Sequence, residues 1–156
     1  MSVRAVVALG GNLGDRHATL DEAVRRLNDH EFVNVVAVSS YLDTVALRIE
    51  GPDELAPRYL NAVAIVETSL DATAFHAELQ HIETSLGRER RERWGDRTLD
   101  LDLIDFDGQV MSTETLVLPH PRAHERLFVL DPWFEIDPQA TIPGIGSVDH
   151  ARKVRS

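Results

Sequence analysis

The apolar positions of this chain change period several times, and each change marks an element. Val3 to Leu9 is a short, nearly unbroken apolar run, the pattern of a strand buried on both faces. Gly10 to Gly14 then reads as a tight turn, its glycines structural rather than phosphate-binding. Leu20, Ala23, Val24 and Leu27 recur at helical spacing and predict a helix from about Arg16 to Asn28, capped by Asp15. Phe32 to Ser40 and Tyr59 to Glu67 are β-rich and predict two more strands. Between them, Leu42 to Arg58 has weak periodicity and contains Gly51, Pro52 and Pro57, which reads as a long loop. Phe75, Leu79, Ile82 and Leu86 predict a second helix that begins near Asp71 or Thr73 and stops at Gly87. Leu99, Leu101 and Leu103 alternate with Asp100 and Asp102, the pattern of a strand. Asp107-Gly108 predicts a hairpin turn, with Val110 and Met111 on the returning arm. A short helix around Ala123 to Leu130 follows, and Pro132, Pro138 and Pro143 punctuate the tail.

The order β-α-β-β-α-β is that of an α+β, ferredoxin-like sandwich, with helices packed on one face of an antiparallel sheet. No repeat, linker or low-complexity segment interrupts it, so residues 1–156 are expected to form one domain.

Composition narrows the chemistry. The formal net charge of −10 argues against general nucleic-acid binding, which needs a basic face. No apolar run approaches a membrane span. Cysteine is absent, which excludes disulfides, thiolate metal sites and cysteine nucleophiles, and fits a cytoplasmic protein. Lys153 is the only lysine, so a Walker-type loop ending in lysine is excluded.

Against this acidic background, Gly87 to Phe106 stands out. Arg88, Arg90, Arg91, Arg93 and Arg97 come first, and Asp100 and Asp102 follow on one face of a strand. Two carboxylates at i and i+2 lie roughly 6.7 Å apart and can converge on one magnesium ion or bracket a pair. Guanidinium forks beside them suit a metal-bound polyphosphate. Two plainer readings stay open: solvated acids on the open face of the sheet, and a salt-bridged arginine surface. The acids weigh against the first, because neighbouring like charges on a strand repel. Trp94-Gly95 is either part of a loop folding over a ligand or an anchor to the core. Tyr59 and Asn61 share a strand face that suits a flat heterocycle with an amide edge. His120, between two prolines, is better placed to meet a phosphate or a backbone group than zinc.

Together these residues resemble the 6-hydroxymethyl-7,8-dihydropterin pyrophosphokinase family. The resemblance runs from about Val3 to Pro138. It rests on RWGDRTLDLDLI above all, then on ALGGNLGD, YLNAV, IETSLGR, LPHPRAHERLFVL and DPWFEIDP. It implies a ferredoxin-like fold and transfer of pyrophosphate from ATP to the pterin hydroxymethyl group, with release of AMP. By motif it implies that Asp100 and Asp102 hold two Mg²⁺, and that Arg88, Arg90 and Arg97 steady the polyphosphate. Gln80, Glu83, Leu103, His120 and Arg126 would face ATP. Thr44, Leu47, Tyr59, Asn61 and Phe128 would face the pterin. Its partners would be small molecules only, with no nucleic acid and no membrane, and the protein a monomer. Asp96 stands where the family signature has proline, the arginine segment leaves Arg90 and Arg91 as alternatives, and the segment after Thr44 departs from the family pattern. The rival readings are a non-catalytic ferredoxin-like binding module and a Mg²⁺-dependent phosphohydrolase.

Overall fold

A computed structural model describes residues 2–12, 16–45, 47–48, 51–52, 58–94 and 99–155. The apolar N-terminal run forms β1 (Val3–Gly11), followed by α1 (Arg16–Asp29) and β2 (Val33–Val38). Gly10 and Gly11 extend β1 rather than turning out of it. Leu13 to Asp15, with the expected cap, lie outside the described residues.

The segment expected to be a long loop opens with β3 (Leu42–Val45), and β4 (Leu47–Arg48) pairs with β5 (Gly51–Pro52) in a small ribbon. β3 is only four residues long, too short for its own periodicity to show. Its partner, β6 (Arg58–Thr68), is distant in sequence, and β2 and β3 lie end to end along one side of it. Ser39 bridges the break between them. Its N–H donates to Val63 O at 2.9 Å, and its hydroxyl accepts from Val63 N at 3.0 Å. Backbone groups that the bend would strand inside the sheet therefore keep partners.

Gly87 does not end the second helix. α2 runs from Ala72 to Trp94 and carries Arg88, Arg90, Arg91 and Arg93 on helical backbone. A mid-helix glycine costs about 1 kcal/mol, and the Leu, Arg and Glu residues around it are among the best helix formers. Arg97 and Gly95 lie outside the described residues, as does the side chain of Trp94.

β7 (Leu99–Phe106) pairs with β1 and closes a sheet of order β2-β6-β1-β7, antiparallel throughout. Asp107 and Gly108 both take positive φ, 53° and 67°, as the expected turn requires. The returning arm does not pair back on β7, however. β8 (Met111–Ser112) pairs with β9 (Val117–Leu118) instead. A 3₁₀ turn (Ala123–Glu125) leads into α3 (Leu127–Ile136), which contains Pro132. β10 (Thr141–Ile142), β11 (Gly146–Ser147) and α4 (Val148–Arg155) complete the chain.

Strand alternation sends side chains into two cores. Val7 and Leu9, Ala62 and Ala64, and Leu101 and Leu103 pack beneath α1 and α2. On the opposite face, Val6, Val63, Ile65 and Ile104 meet Val129, Leu130 and Trp133 of α3 and Val148 and Ala151 of α4. The helices therefore lie on both faces of the sheet, not on one. α1 and α2 cover their face broadly, whereas α3 and α4 cover one end of theirs. The other end of that second face stays open, and the polar strand residues lie there. Trp133, 2% exposed, is the largest fully buried side chain of the second core. Trp133→Ala is expected to cost about 3–5 kcal/mol of unfolding free energy in urea denaturation, and a loss below about 1 kcal/mol would contradict a packed C-terminal layer.

Candidate active site

The open end of the second face is a cleft of about 800 Å³. Its floor is set by register. Gly10 of β1 lies opposite Asp100 on one side and Asn61 on the other, and Asn61 in turn lies opposite Leu42. One step along, Ala8 sits between Asp102 and Val63. Asp100, Asp102, Asn61 and Tyr59 thus share one face across neighbouring strands, and all four line the cleft. The wall comes from the 3₁₀ turn and the start of α3, through Glu125, Arg126, Leu127 and Phe128. The guanidinium of Arg126 lies 5.7 Å from the centre of the Phe128 ring, within cation–π range.

Gly10 has a specific reason to be glycine. A Cβ there would lie 2.9 Å from Asn61 Oδ1, closer than real side chains approach. The absent side chain lets the Asn61 amide lie over β1 beside the carboxylates. Asn61 is 7% exposed, in a set of buried groups that is otherwise overwhelmingly apolar.

The acids are held against their own repulsion. Partial burial, then the charge of Asp102, push the Asp100 carboxyl above its ordinary range, and Arg126 opposes them. Glu83 of α2 reaches the free edge of β7, where its Oε2 accepts from Leu101 N at 2.8 Å. Burial and then the nearby charges of Asp100 and Asp102 raise its carboxyl, with the Leu101 N–H pulling the other way. The bond clasps the strand residue between the two aspartates. It also occupies an edge N–H that the sheet leaves unpaired. His120 lies near Asp102. Burial pushes its imidazole toward the neutral form, as do the charges of Arg126 and Arg122, and Asp102 pulls toward the charged form. Its Nδ1 accepts from Arg122 N at 3.2 Å.

Among the described residues no three metal-ligating side chains converge. Among the described residues, Asp100 and Asp102 would therefore share a cation with oxygens brought by a ligand or by water. Magnesium is commonly bound in this way, through one or two carboxylates plus substrate phosphates.

The structure thus brings Asp100, Asp102, Tyr59, Asn61, Arg126 and Phe128 to one cleft, with His120 and Glu83 beside the aspartates. Gln80 is exposed on α2, one turn before Glu83. The side chain of Leu103 does not face the cleft but packs in the opposite core, 3% exposed. It falls there by the same alternation that turns Asp102 into the cleft. The backbone of Thr44 pairs with Tyr59, and that of Leu47 with Pro52. Arg88 and Arg90 lie in the last turns of α2, and the side chains of Thr44, Leu47, Arg88 and Arg90 lie outside the described residues. Gly10, Leu42, Glu125 and Arg155 also line the cleft and were not anticipated from the sequence. Gly10 carried a signal, its place just before the chain leaves the first strand, but a glycine there fits a turn equally well.

Comparison with known proteins identifies a family. Residues 6–138 match the model of the family described as 7,8-dihydro-6-hydroxymethylpterin-pyrophosphokinase. The chain is similar to the 2-amino-4-hydroxy-6-hydroxymethyldihydropteridine pyrophosphokinase of Bacillus subtilis, 43% identical over 132 residues, covering 85% of this chain and 77% of the relative. The same-named protein of Haemophilus influenzae is 38% identical over 141 residues, covering 90% and 86%. Among solved structures, the fold is similar to that of Plasmodium falciparum HPPK-DHPS with pterin and p-hydroxybenzoate, with a TM-score of 0.73 and 12% identity. The match covers 98% of this chain and 43% of that one.

Removing one of the clustered acids should stabilise the metal-free protein. A carboxyl whose folded pKa is raised contributes stability below its unfolded pKa and loses it as pH rises through the folded value. At pH 7 in chelator, Asp100→Asn is expected to raise Tm by roughly 1–3 °C, as for relieved like-charge neighbours. The gain should shrink as pH falls below the ordinary carboxylate range. A lower Tm at pH 7, or a gain that grows on acidification, would contradict the assigned repulsion.

Proposed function

Since the chain belongs to the 7,8-dihydro-6-hydroxymethylpterin-pyrophosphokinase family, we propose how its own residues divide the work of the reaction. The chain transfers pyrophosphate from ATP to 6-hydroxymethyl-7,8-dihydropterin, giving the pterin diphosphate and AMP, in folate biosynthesis. The hydroxymethyl oxygen forms a bond to the β-phosphorus of ATP. The bond from that phosphorus to the oxygen shared with the α-phosphate breaks, AMP leaves with the oxygen, and the hydroxyl proton is released.

The assignment is carried by one observation: the carboxylate pair and the Asn61 amide share a single face across β7, β1 and β6. Asn61 reads the amide edge of the pterin, with Tyr59 and Phe128 against its ring. Thr44 and Leu47 lend backbone contacts. Asp100 and Asp102 would hold two magnesium ions on the ATP side, and that metal would supply neutralisation of phosphate charge there. Arg88, Arg90 and Arg97 steady the charge that shifts toward the leaving AMP, and His120 and Arg126 hold phosphate oxygens. Gln80, Glu83 and the backbone at Leu103 take the rest of the nucleotide. The protein supplies positioning and charge, with no covalent intermediate. It works as one domain over residues 1–156 and as a monomer in the cytoplasm. No helix among the described residues is long and apolar enough to cross a membrane.

AMP formation from ATP and the pterin tests this division. Wild type should release AMP only with both the pterin and Mg²⁺ present. Asp102→Ala should lose at least roughly 10³-fold in kcat, in the range found when a strong transition-state charge contact is removed. Gly10→Ala should displace the Asn61 amide and raise KM for the pterin about tenfold, leaving KM for ATP near wild type. AMP release that needs no pterin, or an Asp102→Ala enzyme of wild-type rate, would refute the assignment.

A further inference from the structure

The C-terminal helix lies beyond the family match, which ends at residue 138. It nevertheless reaches the cleft. Val148 and Ala151 of α4 are buried in the second core, at 0% and 8% exposure. Residues at i, i+3 and i+7 of a helix share a face, so Arg155 continues the Val148–Ala151 stripe one turn past the point where the core ends. There its side chain lines the cleft, together with Glu125, Arg126 and Phe128.

The helix is fixed where it matters. Arg152 lies with its guanidinium 4.1 Å from the centre of the Phe134 ring and pairs with Asp131 of α3 at 3.3 Å. Its Nη1 meets Asp149 at 3.1 Å. Val148 N also donates to Ala140 O at 2.9 Å at the start of the helix. The Arg152 contacts with Phe134 and Asp131 tie α4 to α3, the helix whose first turn carries Phe128, and whose N-cap carries Arg126, into the cleft. Arg155 is therefore held in register with the cleft wall by packing two turns away, and its exposed guanidinium is left to meet what the cleft holds.

We propose that Arg155 is a further substrate-binding residue, contributing a second guanidinium beside Arg126 to a pyrophosphoryl group in the cleft. This rests on the assigned pyrophosphokinase site. The ligand chemistry is a diphosphate anion, which comes either from ATP or from the pterin diphosphate product. A guanidinium fork donates to two phosphate oxygens at once, which a single Arg126 cannot do for both phosphates of a transferring group. Arg155 also offsets part of the acid charge that Asp100, Asp102 and Glu125 bring to the same cleft.

The test compares wild type, Arg155→Ala and Arg155→Lys. Steady-state kinetics at low and high salt are paired with titrations of a non-hydrolysable ATP analogue and of the pterin diphosphate. Arg155→Ala is expected to lose roughly tenfold in kcat/KM, the size of one charge-assisted hydrogen bond, with a shallower salt dependence. Its Tm should match wild type, because the side chain is exposed, and Arg155→Lys should recover part of the loss. Weaker binding of the analogue would place the contact on ATP, and weaker binding of the product would place it on the pterin diphosphate. Wild-type kcat/KM and unchanged affinity for both ligands in Arg155→Ala would overturn the proposal. The titrations need no turnover, so a wild type that released no AMP would refute the site reading separately while the two affinities still decided Arg155.

Discussion

The antiparallel register of β1 against its two neighbours is the constraint on which the rest depends. It puts Gly10 between Asp100 and Asn61, and Ala8 between Asp102 and Val63. Strands in a sheet lie about 4.8 Å apart, so the backbones that carry the carboxylate pair and the amide run about 10 Å from each other on one rigid surface. That separation leaves room for a phosphate chain on one side and a flat ring on the other, with their reacting atoms between. A register slip of one residue would turn every one of these groups into the opposite core. The buried stripes Val7–Leu9, Leu60–Ala64 and Leu99–Leu103 prevent that slip. The apolar packing under α1 and α2 is therefore what aims the polar residues on the other face.

That other face is divided between stability and chemistry. Trp133, Val129 and Leu130 seal one half with Val6, Val63, Ile65 and Ile104. The other half keeps Asp100 and Asp102 side by side, with Glu83 of α2 near them at the edge of β7, at a cost to the metal-free fold that the second core and the Glu83 clasp on Leu101 offset. α3 serves both halves. Its later turns pack the core, and its first turn presents Phe128 and, just before it, Arg126 to the cleft.

What could be read from the chain depended on how local the cause was. Asp100 and Asp102 were legible as candidates because acids alternating with leucines on a strand break a local rule, and a bound cation would relieve their repulsion. The main strands and helices were legible from unbroken periodicity. β3 was not, since four residues carry too little pattern and its pairing with β6 is a long-range fact. The continuation of α2 past Gly87 was hidden because a single breaker competes with a whole run of helix formers whose sum decides. The role of Gly10 depends on a contact with Asn61 across strands, and that of Arg155 on how α4 docks. Neither is written in its own neighbourhood of the sequence.

The central claim is that cation and heterocycle occupy one cleft, joined by the β7-β1-β6 ladder. The most direct measurement is paramagnetic relaxation of the pterin protons by Mn²⁺ in place of Mg²⁺, with a non-hydrolysable ATP analogue bound. The account predicts strong broadening of the hydroxymethyl protons, weaker broadening elsewhere on the ring, and loss of the effect in Asp102→Ala. Pterin bound with its proton lines unaffected by Mn²⁺ would contradict it.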